Sequence, residues 1–245
     1  MDESMSNINI RYKKQEEIRG ETESFTCAEA VAKVKEMADV KSNRSYKNGR
    51  TRKDNPQTVD LVMNLGIDPK QADQMLRGSI ALPKGIGKTN RVIAFCDGEL
   101  IEAAKAAGAI EVGADELIDK VSKGWLDFDV AVAHPSMMGK VGKLGRVLGP
   151  QGKMPTPKAG TVTPDVANAV AEYVAGKLEF RNDAGGNVHM AVGKTNFSVE
   201  DLKENIDAAI GHMEKLKPAS SKGTYFKNVV ISGTRTPGVK IQLGA

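Results

Sequence analysis

Alternating apolar and helical segments in the middle of the chain restrict its fold most strongly. Apolar runs and helix-forming stretches follow one another in the order Arg91–Cys96, Glu99–Ala107, Ala109–Val112, Ala114–Lys123, Asp127–Ala133 and a small-residue helix from Ser136. Strands that are apolar on both sides and separated by helices indicate a parallel sheet covered on each face. The sequence therefore predicts a three-layer α/β/α unit with a parallel sheet.

The flanking segments have a different pattern, which predicts a second domain of the α+β type. Apolar residues alternate with polar ones in Thr58–Leu65 and Val188–Val192, as in strands with one buried face. Thr26 has capping-box spacing with Glu29, so a helix is predicted to begin there. A second amphipathic helix is predicted over Val199–Leu216.

Further elements complete this α+β domain. Thr163 is predicted to cap a helix with Pro164 at its first position, and short strands are predicted near Lys227–Ser232 and Val239–Leu243. The outer segments thus supply at least two helices and four strands, enough for a base into which the α/β unit is inserted. The predicted limits are a flexible polar tail at 1–25, a discontinuous base domain at 26–77 and 161–245, and the inserted domain at 78–160.

Bulk properties exclude several classes of protein. No apolar run approaches the roughly 18 residues that a membrane helix needs, so no membrane partner is predicted. The first residues lack the pattern of a secretory signal, which favours a cytoplasmic location. Cys27 and Cys96 are far apart and lack metal-ligand spacing, so neither a disulfide framework nor a zinc site is predicted.

The distribution of charge is more informative than the net charge of +4. Residues 41–54 carry six bases and one acid, residues 139–158 carry five bases and no acid, and residues 215–245 carry six bases and no acid. One such segment is weak support for a polyanionic partner, because solvated surfaces also cluster charge. Three together favour contact with a phosphate backbone.

The α/β texture also raises the hypothesis of a nucleotide-dependent enzyme. Gly85–Thr89 (GIGKT) resembles the end of a phosphate-binding loop, but Leu82 stands where the first glycine is required and the segment precedes a strand. The histidines, at positions 134, 189 and 212, share no ligand spacing and have no nearby nucleophile motif. We therefore predict no catalytic site, no metal and no cofactor.

A glycine-, proline- and lysine-rich segment, Leu144–Val162 (LGRVLGPQGKMPTPKAGTV), carries a family resemblance together with five other motifs. In chain order these are NLGID at 64–68, RGS with LPKG at 77–85, EAAKAAGA at 102–109, FRND at 180–183 and LKEN at 202–205. The chain resembles the large-subunit ribosomal protein L-one family in its bacterial form, over about Thr26 to Val239. We expect the glycines and prolines of Leu144–Val162 to shape the connection between the domains.

The resemblance implies a function as well as a fold. Members have two domains and form the head of a mobile side stalk of the large ribosomal subunit. They bind large-subunit ribosomal RNA through the base domain, help to move and release exit-site transfer RNA, and in many bacteria repress translation of their own messenger RNA. The mechanism so implied is binding and hinge motion, without bond chemistry.

Carried over residue by residue, the resemblance implies two RNA-contacting loops. In the first, Arg181 is expected to bind phosphate, while Asn182 and Asp183 address bases or ribose 2′-hydroxyls; an ordinary hairpin turn is the alternative. In the second, Ser232 and Thr234 fit the family's Ser-Thr-Thr-Met-Gly-like loop. The remaining two residues of that loop depart from the family's Met and Gly, namely Arg235 and Thr236.

Further cations are expected to supplement these loops. Arg52 and Lys53 lie in a basic insertion before the first strand, where the family commonly has an aromatic residue, and Lys222 and Lys227 lie in the acid-free C-terminal stretch. Two alternatives stay open at this point: an RNA-binding translational repressor that acts off the ribosome, and a nucleotide-dependent enzyme favoured only by the α/β texture.

Overall fold

A computed structural model describes residues 10–20, 24–40, 56–71, 73–98, 100–221 and 223–242. Arg52, Lys53 and Lys222 therefore lie outside the described residues. The chain forms two compact units. The first unit comprises residues 1–76 and 182–245, and the second unit comprises Arg77–Arg181.

Each unit contains both helices and strands. The first unit begins with α1 (Ile10–Arg19), α2 (Cys27–Asp39) and β1 (Thr58–Leu65). The second unit contains β2 (Arg77–Ile80), β3 (Val92–Phe95), α3 (Leu100–Ala106), β4 (Glu111–Gly113), α4 (Asp115–Ser122), β5 (Val130–Ala133), α5 (Met138–Val141), α6 (Gly145–Leu148), α7 (Val166–Val174) and β6 (Leu178–Arg181). The first unit ends with β7 (Asn187–Lys194), α8 (Val199–Lys215), β8 (Phe226–Gly233) and β9 (Val239–Lys240).

The second unit is built on a parallel sheet of order β4-β3-β5. Ile93 and Phe95 of β3 pack in one cluster with α4 and the short helical turns that follow β5. Val92 and Ala94, which point the other way, pack in a second cluster with α3 and α7. All four of these residues are fully buried, so the three-layer α/β/α architecture that the apolar runs predict is confirmed.

Helix α7 begins later than the sequence predicts. Asp165 is the N-cap, and its carboxylate accepts the backbone N–H of Asn168 at 3.2 Å. Thr163 does not cap the helix; its hydroxyl instead accepts the backbone N–H of Asp165 at 3.3 Å. Pro164 therefore precedes the cap. The Asp165 side chain accepts an N–H group three residues further on, as an N-cap does, whereas the Thr163 hydroxyl reaches only the N–H of Asp165.

Residues 161–181 pack within the second unit, whereas the sequence pattern predicts a base domain that resumes at residue 161. Val162 forms a parallel bridge with Ala133 at the edge of β5, and Tyr173 of α7 is fully buried against the sheet. Strand β6 pairs with β2 in an antiparallel two-stranded sheet. These contacts are long-range in sequence, and the local texture after Gly160 does not show them.

The segment Leu144–Val162 lies inside the second unit and does not form a connection between units. Leu144 and Leu148 are buried in the same apolar cluster as Ile93 and Phe95 of β3. Lys153 donates its ammonium protons to the carbonyl oxygens of Leu126 and Phe128, at 3.0 and 2.6 Å. The segment therefore closes the α/β core, and its glycines serve local turns, such as Gly160 with φ of +71°.

The first unit contains an antiparallel sheet of order β7-β1-β8-β9. Val59, Leu61, Met63 and Leu65 of β1 are buried, while the residues between them are half-buried, which confirms the predicted alternation. Helices α2 and α8 cover the apolar side. The capping box at Thr26 and Glu29 is also present.

Helix α1 replaces part of the flexible tail that the sequence predicts at 1–25. It packs against α2, and its Gln15 side chain is only 1% exposed. Lys33 of α2 donates to the last carbonyls of α1, those of Ile18 and Arg19, at 2.8 and 2.9 Å. Because polar side chains make these contacts, α1 shows no apolar periodicity that would reveal it in the sequence.

Candidate nucleic-acid interface

The sheet of the first unit has one face that α2 and α8 leave uncovered. Its side chains alternate with the buried ones and are exposed or half-buried. We call this surface the open face; it consists of Asp60, Val62 and Asn64 from β1, Asn187 and His189 from β7, Asn228, Val230 and Ser232 from β8, and Lys240 from β9. Amide, hydroxyl, imidazole and ammonium groups predominate on it.

Strand register places the amide side chains of the open face at one end of the sheet. Asn64 lies opposite Asn187 on one side and Asn228 on the other. The Asn64 side-chain amide donates to the side-chain oxygen of Asn187 at 2.6 Å. Such groups can address base edges and ribose 2′-hydroxyls of a nucleic acid.

The first predicted loop is organised around the carboxylate of Asp183. This carboxylate accepts the backbone N–H groups of Gly185 and Asn187, at 2.8 and 2.7 Å, and the side-chain amide of Asn187 at 3.0 Å. These hydrogen bonds, that from the Asn187 side chain foremost, lower the pKa of Asp183 below its ordinary value. Asp183 therefore stays ionised at neutral pH and holds the turn, while Asn187 is oriented on the open face.

The other two residues of this loop have different surroundings. Asn182 donates its backbone N–H to the carbonyl of Leu76 at 3.0 Å and its side-chain amide to the carbonyl of Asp183 at 3.1 Å. Arg181 ends β6, belongs to the second unit and is exposed. The described residues offer it no ion-pair partner.

In the second predicted loop, Ser232–Thr236, two side-chain hydroxyls accept backbone N–H groups of the protein. The Thr234 hydroxyl accepts the backbone N–H of Thr58 at 3.2 Å, and the Thr236 hydroxyl accepts that of Gly233 at 2.7 Å. Ser232 lies on the open face opposite Asp60. Arg235 is exposed and has no ion-pair partner in the described part of the chain.

The structure places the two loops at opposite ends of the sheet. Asp183 contacts Asn187, which pairs with Asn64 near the end of β1, whereas Thr234 contacts Thr58 at its beginning. Six residue steps of a strand separate Thr58 from Asn64, which corresponds to about 20 Å. The loops therefore do not form one compact pocket; the open face lies between them.

Lys227 lies at the same end of the sheet as Asn64. Its side chain is exposed and lines an open groove with Asp68 and Gln74. Among the ion pairs of the described residues, none involves Lys227, Lys240 or Arg235, so these cations of the first unit remain available for phosphate.

Several residues of the open face were not singled out by the sequence analysis, notably Asn64, Asn187, Asn228 and Lys240. A usable signal existed, because the alternation in β1 and β7 that predicts one buried face also specifies which residues lie on the other. What the sequence lacked was the pairing of β1 between β7 and β8, which brings the three asparagines side by side.

The features of an enzyme are not assembled in the described residues. Gly85–Thr89 lies in the connection between β2 and β3, before a strand, which is the wrong context for a phosphate-binding loop. Within the described ranges, no cluster of three or more His, Cys, Asp or Glu side chains is arranged to hold a metal ion. None of the helices in those ranges has the length and apolarity needed to cross a membrane.

Comparison with known proteins adds an independent finding. Residues 34–237 match the family described as the ribosomal protein L1p/L10e family. The chain is 51% identical over 223 residues to the large ribosomal subunit protein uL1 of Nocardioides sp. (strain ATCC BAA-499 / JS614), which covers 91% of this chain and 90% of that protein. It is 45% identical over 237 residues to the protein of the same name from Kosmotoga olearia, with 97% of both chains covered.

Proposed function

The chain belongs to the ribosomal protein L1p/L10e family, and from this premise we propose that it is a structural constituent of the large ribosomal subunit in the cytoplasm. Its activity is the direct binding of large-subunit ribosomal RNA, within the mobile stalk, and it performs no bond chemistry. The relatives that match nearly the whole chain carry the name of a large-subunit protein, which supports this assignment.

The observation that carries the RNA-binding proposal is the open face of the first unit. This face is polar, is bordered by the two loops that the family resemblance implicates, and has cations without ion-pair partners in the described part of the chain. We propose that Asn64, Asn187 and Asn228 contact bases or riboses, and that Lys240 and Arg235 contact phosphates.

The roles of the loops follow from their hydrogen bonds. Asp183 acts indirectly in this proposal, because its carboxylate is already occupied by the turn and would repel phosphate. Asp183 orients Asn187, and the side-chain amide of Asn187 faces the RNA instead of the carboxylate. Arg181 supplies a phosphate contact, and the exposed hydroxyl-bearing Thr234 and half-buried Ser232 approach the RNA backbone. The proposed contacts of Arg52, Lys53, Lys222, Lys227 and Thr236 follow from sequence position and charge.

Two further activities are proposed from family membership. The protein assists the movement and release of exit-site transfer RNA, and it represses its own messenger RNA when that message carries a similar structural element. The division into a split base domain and an inserted domain fits both activities, because one unit binds RNA while the other is free to meet a second partner. Cations of the second unit that have no ion-pair partner among the described residues, such as Lys143, Arg146 and Lys158, are the residues we propose for transfer RNA.

The main alternative is a translational repressor that acts off the ribosome. The same open face would serve it, because a messenger RNA that imitates the ribosomal element presents the same phosphates and bases. Fractionation of cell extract separates the alternatives: we expect the protein to sediment with large subunits, and a protein confined to ribosome-free fractions would favour the repressor.

The decisive experiment compares binding to a transcribed stalk fragment of large-subunit ribosomal RNA with binding to a scrambled hairpin of equal length, across a salt titration. We expect a clear preference for the stalk fragment, and log affinity should fall with log salt by about 0.7 to 0.9 per phosphate neutralised. Equal affinity for both RNAs would overturn the proposal. An added arm with the leader of the protein's own messenger RNA tests self-repression.

A further inference from the structure

Two glutamine side chains converge on the backbone of Arg235. The side-chain amide of Gln15, on α1, donates to the carbonyl oxygen of Arg235 at 3.1 Å. The side-chain oxygen of Gln57, just before β1, accepts the backbone N–H of Arg235 at 3.0 Å. Both polar groups of the Arg235 main chain are therefore held by side chains that are remote from it in sequence.

The same two glutamines are anchored on one helix end. Gln15 uses its second amide proton on the carbonyl of Met37 at 2.8 Å, and Gln57 donates to the carbonyl of Ala38 at 3.1 Å. Met37 and Ala38 lie in the last turn of α2, where backbone carbonyls have no partner within the helix. The carboxyl end of α2 thus serves as a fixed support for both side chains.

Burial and backbone contacts make this arrangement rigid. Gln15 is 1% exposed although it lies on a helix with few apolar residues. Gln57 is held further by its own main chain, which donates to the Thr195 hydroxyl at 3.1 Å and accepts from the Thr195 N–H at 2.9 Å. A buried amide with both protons committed costs free energy when either acceptor is removed, so the position is specified strongly.

We propose that Gln15 and Gln57 are positioning residues of the RNA interface. They clamp the peptide groups of Arg235 against the carboxyl end of α2, and this clamp aims the exposed Arg235 guanidinium at a phosphate of the bound RNA. The inference rests on the proposed function. It also gives the N-terminal helix a role, because α1 supplies one of the two side chains.

The first test needs no RNA. Hydrogen exchange of the Arg235 amide is measured in the full-length protein for the wild type, Gln15→Ala, Gln57→Ala and the control Glu17→Ala, whose side chain is exposed on the same helix. Loss of one net hydrogen bond corresponds to roughly two- to tenfold faster exchange. We expect this for Gln57→Ala, whose side chain accepts the Arg235 N–H, and not for the control or for Gln15→Ala, which bonds to the Arg235 carbonyl. Unchanged exchange in Gln57→Ala would overturn the clamp.

The second test asks whether the clamp acts through Arg235. Affinity for the stalk fragment is measured for Gln15→Ala, Gln57→Ala and Arg235→Ala, and for the two double variants that combine Arg235→Ala with each glutamine change. We expect each single change to weaken binding and each double variant to bind like Arg235→Ala alone. A glutamine effect of equal size with and without Arg235 would overturn the aiming role.

These two tests separate the inference from the proposed function. If the wild type does not distinguish the stalk fragment from the scrambled hairpin, the proposed function fails, and the exchange measurement still decides whether the clamp exists. If the wild type does distinguish them but Arg235→Ala binds as tightly as the wild type, the aiming role fails alone. Should Gln15→Ala undock α1 altogether, Gln57→Ala still tests the other half of the clamp.

Discussion

The sheets of the two units differ in how many of their faces are covered. In the second unit, neighbouring residues of β3 such as Ile93 and Ala94 are both fully buried, because helices pack on each side of the parallel sheet. In the first unit, Leu61 of β1 is buried but its neighbour Val62 is only half-buried, because α2 and α8 cover only one side of the sheet. Among the described residues, the four-stranded sheet of the first unit therefore has an open face, whereas the parallel sheet of the second unit is covered on both faces.

The two units also differ in how many of their cations are paired with carboxylates. In the second unit, many cations have carboxylate partners, namely Arg77 with Glu179, Lys88 with Asp129, Arg91 with Asp127 and Asp129, Lys120 with Glu111, Lys140 with Asp115, and Lys177 with Glu172. The lysine and arginine side chains on and beside the open face have no such partners among the described residues. A cation already paired must lose its carboxylate before it meets phosphate, so we expect the first unit to bind RNA more tightly than the second.

The largest expected effect separates the cores of the two units. Phe95→Ala removes a fully buried ring from β3 and should lower the free energy of unfolding of the second unit by about 3 to 5 kcal/mol. Affinity for the stalk fragment should be retained below the unfolding temperature. Amide exchange in β3 and β1, measured together with RNA binding, checks both statements.

The matched variant in the first unit is Leu61→Ala, which removes a fully buried side chain from β1. It should lower the free energy of unfolding by about 2 to 5 kcal/mol and weaken RNA binding as well. If Phe95→Ala abolishes binding while exchange in β1 stays slow, the comparison between the units is wrong.

A smaller effect is expected from single cations. Lys227→Ala and Arg235→Ala should each reduce the slope of log affinity against log salt by about 0.7 to 0.9, because each is expected to neutralise one phosphate. Lys120→Ala, which removes a cation already paired with Glu111, should leave the slope unchanged. A Lys120→Ala variant with the same loss of slope would show that the pairing of charges does not decide which unit binds.

The smallest effect concerns Asp60, an acid on the open face. Burial raises the pKa of Asp60 above its ordinary value, against the opposing charge of His189. Since the folded state binds this proton more tightly than the unfolded state, stability falls as pH rises from the unfolded pKa through the folded pKa. Asp60→Asn should therefore stabilise the first unit at neutral pH, by less than about 1 kcal/mol because solvent screens a half-buried group.

Denaturant titrations of the wild type and Asp60→Asn at neutral pH and near pH 3 measure this difference. The advantage of the variant should disappear in acid, where both side chains are neutral. The variant should also bind RNA more tightly, because one negative charge leaves the open face. A stability difference that persists unchanged at pH 3 would assign the effect to packing instead of titration.

The local patterns in the sequence were sufficient for most of the fold. Buried runs such as Val92–Phe95 and the alternation in Thr58–Leu65 report how many faces of a strand are covered, and the structure agrees with both. The capping box at Thr26 is a contact over three residues, so it too is visible in the sequence. The turn residues of the segment Leu144–Val162 are also visible in the sequence. The place of this segment inside the second unit is not.

The candidate site was less accessible to sequence reasoning. The family resemblance points to residues on two loops, but only the register of β1 with its neighbours shows that these loops lie about 20 Å apart. Helix α1 was missed because its anchor is Gln15, a polar residue whose partners are Met37 and Arg235. Nothing within the helix itself indicates those partners.

The sequence by itself therefore determined the family, the two sheet types and the absence of a recognisable phosphate-binding loop, since each depends on residues close together in the chain. The tertiary structure alone decided the strand order that forms the open face, the inclusion of residues 161–181 in the second unit, and the clamp on Arg235. The physical reason is the range of the interactions: burial on one or two faces leaves a local periodicity, whereas a hydrogen bond between remote residues leaves none.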